Sequence, residues 1–153
     1  MGIVKALRFS VQARWFVGRL LRLEAAGKPT LSVATPPEFK DGIVGIWSPE
    51  ELLVGAVASC YELTLVAVAE RRRVPLHGLD VEATGHLERV PAGGYGFTVL
   101  ELNAALTTEP GFEAEATEVA QLAKEHCIVE RALEVPVHLR LEVSAKALDP
   151  VPA

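Results

Sequence analysis

The sequence has little of what several classes of protein require. Only 2 cysteines occur among 153 residues, too few for a secreted disulfide framework and too few alone for a zinc site. Its 15 lysines and arginines are outnumbered by 20 aspartates and glutamates, so no overall attraction to nucleic acid is expected. The first residues lack the basic region and apolar block of a signal peptide. These absences predict a cytoplasmic protein.

Motifs for common cofactors are also missing. The chain has no glycine-rich phosphate loop, no serine nucleophile elbow and no Cys-x-x-Cys, and its four histidines lack metal-ligand spacing. We therefore expect no bound cofactor and no metal.

Composition and pattern predict one folded domain over residues 1–153. Half of the residues (50%) are hydrophobic and 23% are charged, which excludes a disordered chain. The length suits one domain. The first predicted strand ends near Val17 and has Ile3, Leu7, Phe9 and Val11 on one face. Two further strands are predicted at 19–24 and 31–35, followed by a long helix from Pro49. The remaining predicted elements are a hairpin that turns at 91–94, a helix after Gly111 and a strand at 135–143. This order indicates an α+β fold with mainly antiparallel pairing.

The segment from Leu52 to Ala69 is almost wholly apolar and close to the roughly 18–20 residues that span a bilayer. Glu62 at its centre would be costly in lipid, and Ser48 with Glu51 forms a capping box at its start. We therefore predict a buried helix and no membrane partner. A helix that is apolar on every side must be covered on every side, so a second copy of the chain is the expected cover and a homodimer is favoured.

The two cysteines are the first candidates for chemistry. Cys60 lies within the apolar helix, and Cys127 falls on the apolar face of the second predicted helix. Each could simply be a small buried hydrophobic residue. If the two helices pack together, however, the thiols lie near each other, and one could attack a peroxide while the other resolves the product.

An attacking thiol must ionise, and burial alone would raise the pKa of Cys60. We therefore expect a cation near it. Arg19 is the preferred candidate and Arg14 and Arg22 are its competitors, although an arginine in a strand is ordinarily a solvated surface charge.

Glu50 could orient that arginine, because Glu51 is already used in the capping box. A carboxylate in the first turn of a helix is also favourable by itself. Ten residues of straight helix separate Glu50 from Cys60 by roughly 15 Å. Both can serve one site only if a long arginine bridges them or if Glu50 comes from another subunit.

These residues resemble the OsmC/Ohr family, bacterial thiol peroxidases that act on organic hydroperoxides. The similar segments are Trp15-x-x-Gly18-Arg19, Val33-Ala34-Thr35-Pro36-Pro37-Glu38-Phe39, Ser48-Pro49-Glu50-Glu51-Leu52 followed by Ala58-Ser59-Cys60, and Ala123-x-x-His126-Cys127-Ile128-Val129. Many members have proline after the second cysteine, where this chain has Ile128.

The resemblance implies an α+β intertwined homodimer in which antiparallel sheets wrap two long central helices. It places the attacking cysteine at Cys60, the resolving cysteine at Cys127, the carboxylate at Glu50 and the arginine at Arg19. It further implies a Cys60–Cys127 disulfide that a dithiol, of the lipoyl type or a small thiol, would reduce.

Three functions therefore remain open at this point. The protein could be a thiol peroxidase for organic hydroperoxides, a redox-sensing or interaction module that uses the same thiols, or a dimeric protein whose cysteines are only structural.

Overall fold

A computed structural model describes residues 6–148 of the chain. The chain divides into two compact units, of which the first ends at Leu52 and the second begins at Leu53. Ile3, which belongs to the first predicted strand, lies outside the described residues.

The first unit contains a three-stranded antiparallel sheet. Its strands are β1 (Gln12–Val17), β2 (Leu20–Glu24) and β3 (Leu31–Ala34), in that order. Gly18, with φ of 53°, makes the turn between β1 and β2, so Arg19 lies at the tip of this hairpin. The prediction that Leu7, Phe9 and Val11 belong to β1 is wrong. Gln12 pairs with Glu24, where β2 ends, and β2 therefore offers no partner to earlier residues.

The long helix α1 (Pro49–Arg72) begins at the end of this unit and continues in the second. The predicted capping box is present. The backbone N–H of Ser48 donates to Oε2 of Glu51 at 2.8 Å, and the backbone N–H of Glu51 donates to Oγ of Ser48 at 3.1 Å. These bonds satisfy two donors at the start of the helix.

The second unit contains a mixed sheet and a second helix. The remaining elements are β4 (Leu76–Arg89), β5 (Tyr95–Thr108), α2 (Glu113–His126), a 3-10 turn (Glu130–Ala132) and β6 (Val137–Ala145). β4 and β5 form the predicted hairpin, and β6 pairs with β5 in parallel. Since α2 carries the chain between β5 and β6, it provides the crossover that a parallel pair needs.

The core of the second unit lies where α1 and α2 meet the sheet. The buried residues are Val57, Tyr61, Leu65, Val68 and Ala69 from α1, Ala116, Val119, Ala120 and Ala123 from α2, and Leu100, Leu102, Ala104 and Leu106 from β5. The small side chains of α2 permit close packing against β5 and β6. The buried hydroxyl of Tyr61 donates to the carbonyl oxygen of Ala120 at 3.2 Å, which ties α1 to α2 directly.

Another face of α1 is not covered within this chain. Gly55, Ser59, Leu63 and Val66 are exposed and follow one another at three- or four-residue spacing, so they share one face of the helix. Leu63 is 70% exposed. By length and composition alone α1 could cross a membrane, although five of its residues belong to the core. Burial on every side, as the sequence predicts, is therefore not achieved by a single chain.

Candidate active site

The two thiols contact each other in the second unit. Cys60 lies in α1 and is partly buried, whereas Cys127 is fully buried at 0% exposure. Both cysteines are free, and their thiols are hydrogen-bonded to each other. The structure therefore brings together the pair that was predicted to meet through helix packing.

The position of Cys127 within its helix was predicted wrongly. It is the residue after the end of α2, with an extended backbone at φ of -65° and ψ of 108°. Its spacing from Ala123 continues the helical pattern of apolar residues, but the helical hydrogen bonds stop at His126. The chain then leads into the 3-10 turn, and Cys127 lies between α2 and that turn.

The turn after Cys127 presents backbone N–H groups to both sulfurs. Its first internal bond runs from the N–H of Arg131 to the carbonyl of Cys127 at 3.1 Å. The N–H groups just before Arg131 need partners elsewhere, as at the start of any helical segment. Those of Ile128 and Val129 bond the sulfur of Cys60, and that of Glu130 bonds the sulfur of Cys127.

These contacts lower the pKa of Cys60. Burial by itself raises its pKa, but the backbone amide of Val129, the thiol of Cys127 and the backbone amide of Ile128 together lower the pKa below its ordinary value. Thr64 contributes least, since its hydroxyl donates to the carbonyl oxygen of Cys60 at 2.7 Å. The sequence led us to expect an imported cation. Within the second unit the structure provides backbone amides instead.

Cys127 is shifted in the opposite direction. Burial raises the pKa of its thiol to about 11, and the negative charges of Cys60 and Glu130 add to that increase. The amide of Glu130 opposes the increase only in part. The pair is thus unequal: Cys60 is the thiol that ionises first, and Cys127 keeps its proton.

Arg19 and Glu50 come together in the first unit. They line a cavity of about 410 Å³ together with Thr35, Pro36, Phe39, Lys40 and Pro49. One oxygen of Glu50, Oε2, is buried and has no hydrogen-bond partner among residues 6–148. A buried carboxylate oxygen without a donor is costly, so this cavity is suited to a ligand that supplies a donor.

The two competing arginines are engaged in other contacts. Nε of Arg14 bonds Oε2 of Glu24 at 2.9 Å, and the guanidinium of Arg22 lies 4.5 Å from the centre of the Phe16 ring. Arg19 is therefore the only one of the three that lines the cavity with Glu50. No group of three or more histidines, cysteines, aspartates or glutamates within residues 6–148 could hold a metal ion.

Three contributors to the thiol site were not found from the sequence. The amides of Ile128 and Val129 are backbone groups, which leave no signature in residue type. The carboxylate of Glu130 could have been noticed, because it follows Cys127 by three residues and one helical turn places such residues side by side.

Comparison with known proteins places this fold in a class. Residues 41–142 match the model of the OsmC-like protein family, and the chain belongs to that family. An OsmC-like protein of unknown function from Vibrio cholerae has the same fold, with a TM-score of 0.80 at 19% identity over 89% of this chain and 99% of its own.

Two further relatives are nearer in sequence. An organic hydroperoxide resistance protein OsmC from Legionella pneumophila, also described as a predicted redox protein, is 27% identical with a TM-score of 0.71, covering 92% of this chain and 99% of its own. The uncharacterized protein YmaD of Bacillus subtilis is 28% identical over 125 residues, which is 79% of this chain and 82% of YmaD.

Replacing Ile128 with proline tests the amide contact directly. Proline has no N–H, and the extended backbone of Cys127 suits a residue before proline. Ile128→Pro should therefore raise the pKa of Cys60, so that less thiolate is present at a given pH and alkylation of Cys60 shifts to higher pH. The measurement is the rate of Cys60 alkylation against pH.

Ile128→Val is the matched control, because the Ile128 side chain is 77% exposed and the backbone amide is retained. Valine should leave the alkylation curve in place. An unchanged curve in Ile128→Pro would show that this amide does not stabilise the thiolate.

Proposed function

We propose that the protein is a cysteine-based peroxidase that reduces organic hydroperoxides to alcohols. The observation that carries this proposal is the contact between two free thiols of opposite acidity shift, Cys60 below and Cys127 above the ordinary pKa of cysteine. A peroxidase with two cysteines needs one thiolate that attacks the peroxide and one thiol that reacts afterwards with the oxidised cysteine. Membership of the OsmC-like family and the likeness to a hydroperoxide resistance protein support it.

The first step forms a sulfenic acid. The thiolate of Cys60 attacks the distal oxygen of the hydroperoxide, the O–O bond breaks, and the leaving alkoxide takes a proton to become an alcohol. Cys60 is oxidised and the peroxide is reduced by two electrons. The backbone amides of Ile128 and Val129 stabilise the thiolate that begins this step.

The second step closes a disulfide. The sulfur of Cys127 attacks the sulfur of the Cys60 sulfenic acid, and hydroxide leaves and is released as water. The contact between the thiols permits this bond without large movement. An external dithiol, of the lipoyl type or another small thiol, then reduces the disulfide by thiol exchange.

We assign substrate positioning to the cavity in the first unit. Arg19 would bind the peroxide oxygens, and Glu50 would orient the guanidinium. The support for these roles is that both residues line one cavity and that Glu50 has a buried oxygen without a partner among the described residues.

We also propose that the protein works as a homodimer. The support is the exposed face of α1 that carries Leu63 and Val66, together with the exposed apolar residues Trp15, Phe16 and Val17 in β1. Exposed apolar patches on a small monomer generally mark an interface.

Substitution of each cysteine tests the sequence of steps. With dihydrolipoamide as reductant, wild type should consume an organic hydroperoxide continuously, and Cys60→Ser should abolish consumption. Cys127→Ser should still react once and stop at the sulfenic acid, which excess peroxide carries to the sulfinic form. The measurements are peroxide loss and the mass of the protein.

The same assay separates the other two interpretations. A single stoichiometric oxidation in wild type, with no turnover for any dithiol, would identify a redox sensor. Thiols that remain unoxidised would show that both cysteines are structural. Equal residual activity in the two serine variants would contradict the assignment of attacker and resolver.

Arg19→Ala should slow the attack on hydroperoxide by more than about tenfold, which corresponds to about 1.4 kcal/mol. Arg14→Ala is the matched control, since Arg14 lies in β1 of the same hairpin but pairs with Glu24, and it should change the rate little. The rate of sulfenic acid formation is measured under single-turnover conditions. Equal rates in the two variants would remove Arg19 from the mechanism.

The dimer is tested by sedimentation at micromolar concentration. Wild type should sediment as a dimer whose unfolding depends on protein concentration, and Leu63→Glu should weaken it by placing a charge on the exposed face of α1. Leu148→Glu, at a residue that is 66% exposed, is the control. A stable folded wild-type monomer would contradict the proposal.

A further inference from the structure

Glu130 carries a partly buried carboxylate that the proposed mechanism does not use. Its side chain is 14% exposed, and one of its oxygens forms an ion pair with Nζ of Lys124. The other oxygen, Oε2, is buried without a hydrogen-bond partner among residues 6–148. Buried polar atoms normally have partners, and an exception needs an explanation. Oε2 is therefore able to accept a proton.

This carboxylate belongs to the surroundings of Cys127. The two residues are three apart in one turn, and the backbone N–H of Glu130 bonds the Cys127 sulfur. The titratable and charged groups around the carboxylate are Lys124 from α2, Tyr61 from α1 and the thiol pair. The proton of Tyr61 is engaged, because its hydroxyl donates to the carbonyl of Ala120.

The second step of the reaction has a difficulty that Glu130 can remove. The pKa of Cys127 is raised to about 11, first by burial, so the residue is almost wholly protonated near neutral pH. A neutral thiol is a poor nucleophile, yet Cys127 must attack the oxidised Cys60. Some group must accept the proton as the sulfur bond forms.

We propose that Glu130 is the proton acceptor for Cys127 during disulfide closure. This inference rests on the proposed function of the two cysteines. As the sulfur of Cys127 bonds the sulfur of Cys60, the S–H proton passes to the Glu130 carboxylate, and hydroxide departs from Cys60 with the electron pair of the broken S–O bond. The proton then leaves Glu130 and the hydroxide is released as water. Lys124 holds the other carboxylate oxygen and keeps the group in place.

The opposite role for Glu130 predicts the opposite result. If its charge does no more than repel the Cys127 thiolate, then Glu130→Gln lowers the pKa of Cys127, increases the thiolate fraction and accelerates closure. If Glu130 accepts the proton, the same substitution slows closure. The sign of the change therefore decides between the two roles.

The test uses an aromatic disulfide, dithiobis(nitrobenzoate), which releases one coloured thiolate for each exchange. In the first phase the Cys60 thiolate attacks the reagent, releases one thiolate and keeps the other half as a mixed disulfide. In the second phase Cys127 attacks that mixed disulfide, its proton passes to Glu130, and the second thiolate leaves. The second phase measures attack by Cys127 without any peroxide.

In Glu130→Gln the second phase should slow by about a hundredfold, within the usual range for a lost general base, while the first phase stays within about twofold of wild type. Glu130→Asp, which keeps a carboxylate, should recover part of the rate. Glu125→Gln is the matched control, since Glu125 is an exposed carboxylate two residues before Cys127, and it should behave as wild type.

A second phase that is unchanged or faster in Glu130→Gln would overturn the inference. If wild type shows the fast second phase but no reaction with hydroperoxide, the proposed peroxidase function fails while the role of Glu130 stands. If wild type shows no first phase, Cys60 is not a nucleophile and both proposals fail.

The wild-type pH profile provides a measurement that does not depend on the folding of any variant. If Cys127 had to ionise before attack, the second phase would accelerate about tenfold for each pH unit below its pKa. With Glu130 as acceptor the rate should increase by much less than tenfold for each pH unit. A steady tenfold increase for each unit would contradict the proposal.

Discussion

The chemistry of this site depends on backbone N–H groups that reach the sulfur of Cys60. Ile128 and Val129 provide them, because the chain leaves α2 at Cys127 and does not close its next turn until Arg131. A helix start is the usual way to place amides at an anion, but Cys60 lies well inside α1. Here the short turn after Cys127 places its amides at the sulfur of Cys60. This contact requires α1 and α2 to stay packed together.

The packing of the two helices therefore matters for function as well as for stability. The alanines at 116, 120 and 123 are buried, and Tyr61, the residue after Cys60, bonds the carbonyl of Ala120. Cys127 is buried in the same core, and this burial raises its pKa. One arrangement thus lowers the pKa of one thiol and raises the pKa of the other, which supports the different roles that we propose for the two cysteines.

Much of this arrangement could be predicted from the sequence. The rest could not, and the reasons are physical. The capping box of Ser48 and Glu51 predicted where α1 begins, and the order of elements and the resemblance to the OsmC/Ohr family were confirmed. The end of α2 was misplaced, since Cys127 continues the apolar spacing after the helical bonds have stopped. Helix ends depend on backbone geometry that the pattern does not record. The amides of Ile128 and Val129 were missed for the same reason, and an arginine was expected in their place.

We propose that Cys60 and Cys127 form a redox pair within one chain. To test this pair, the reduced wild-type protein is treated with one equivalent of an organic hydroperoxide and its peptides are mapped under non-reducing conditions. We expect one equivalent of alcohol, loss of both free thiols and a Cys60–Cys127 bond within a single chain. Two thiols that remain free, or a disulfide formed only between chains, would contradict it.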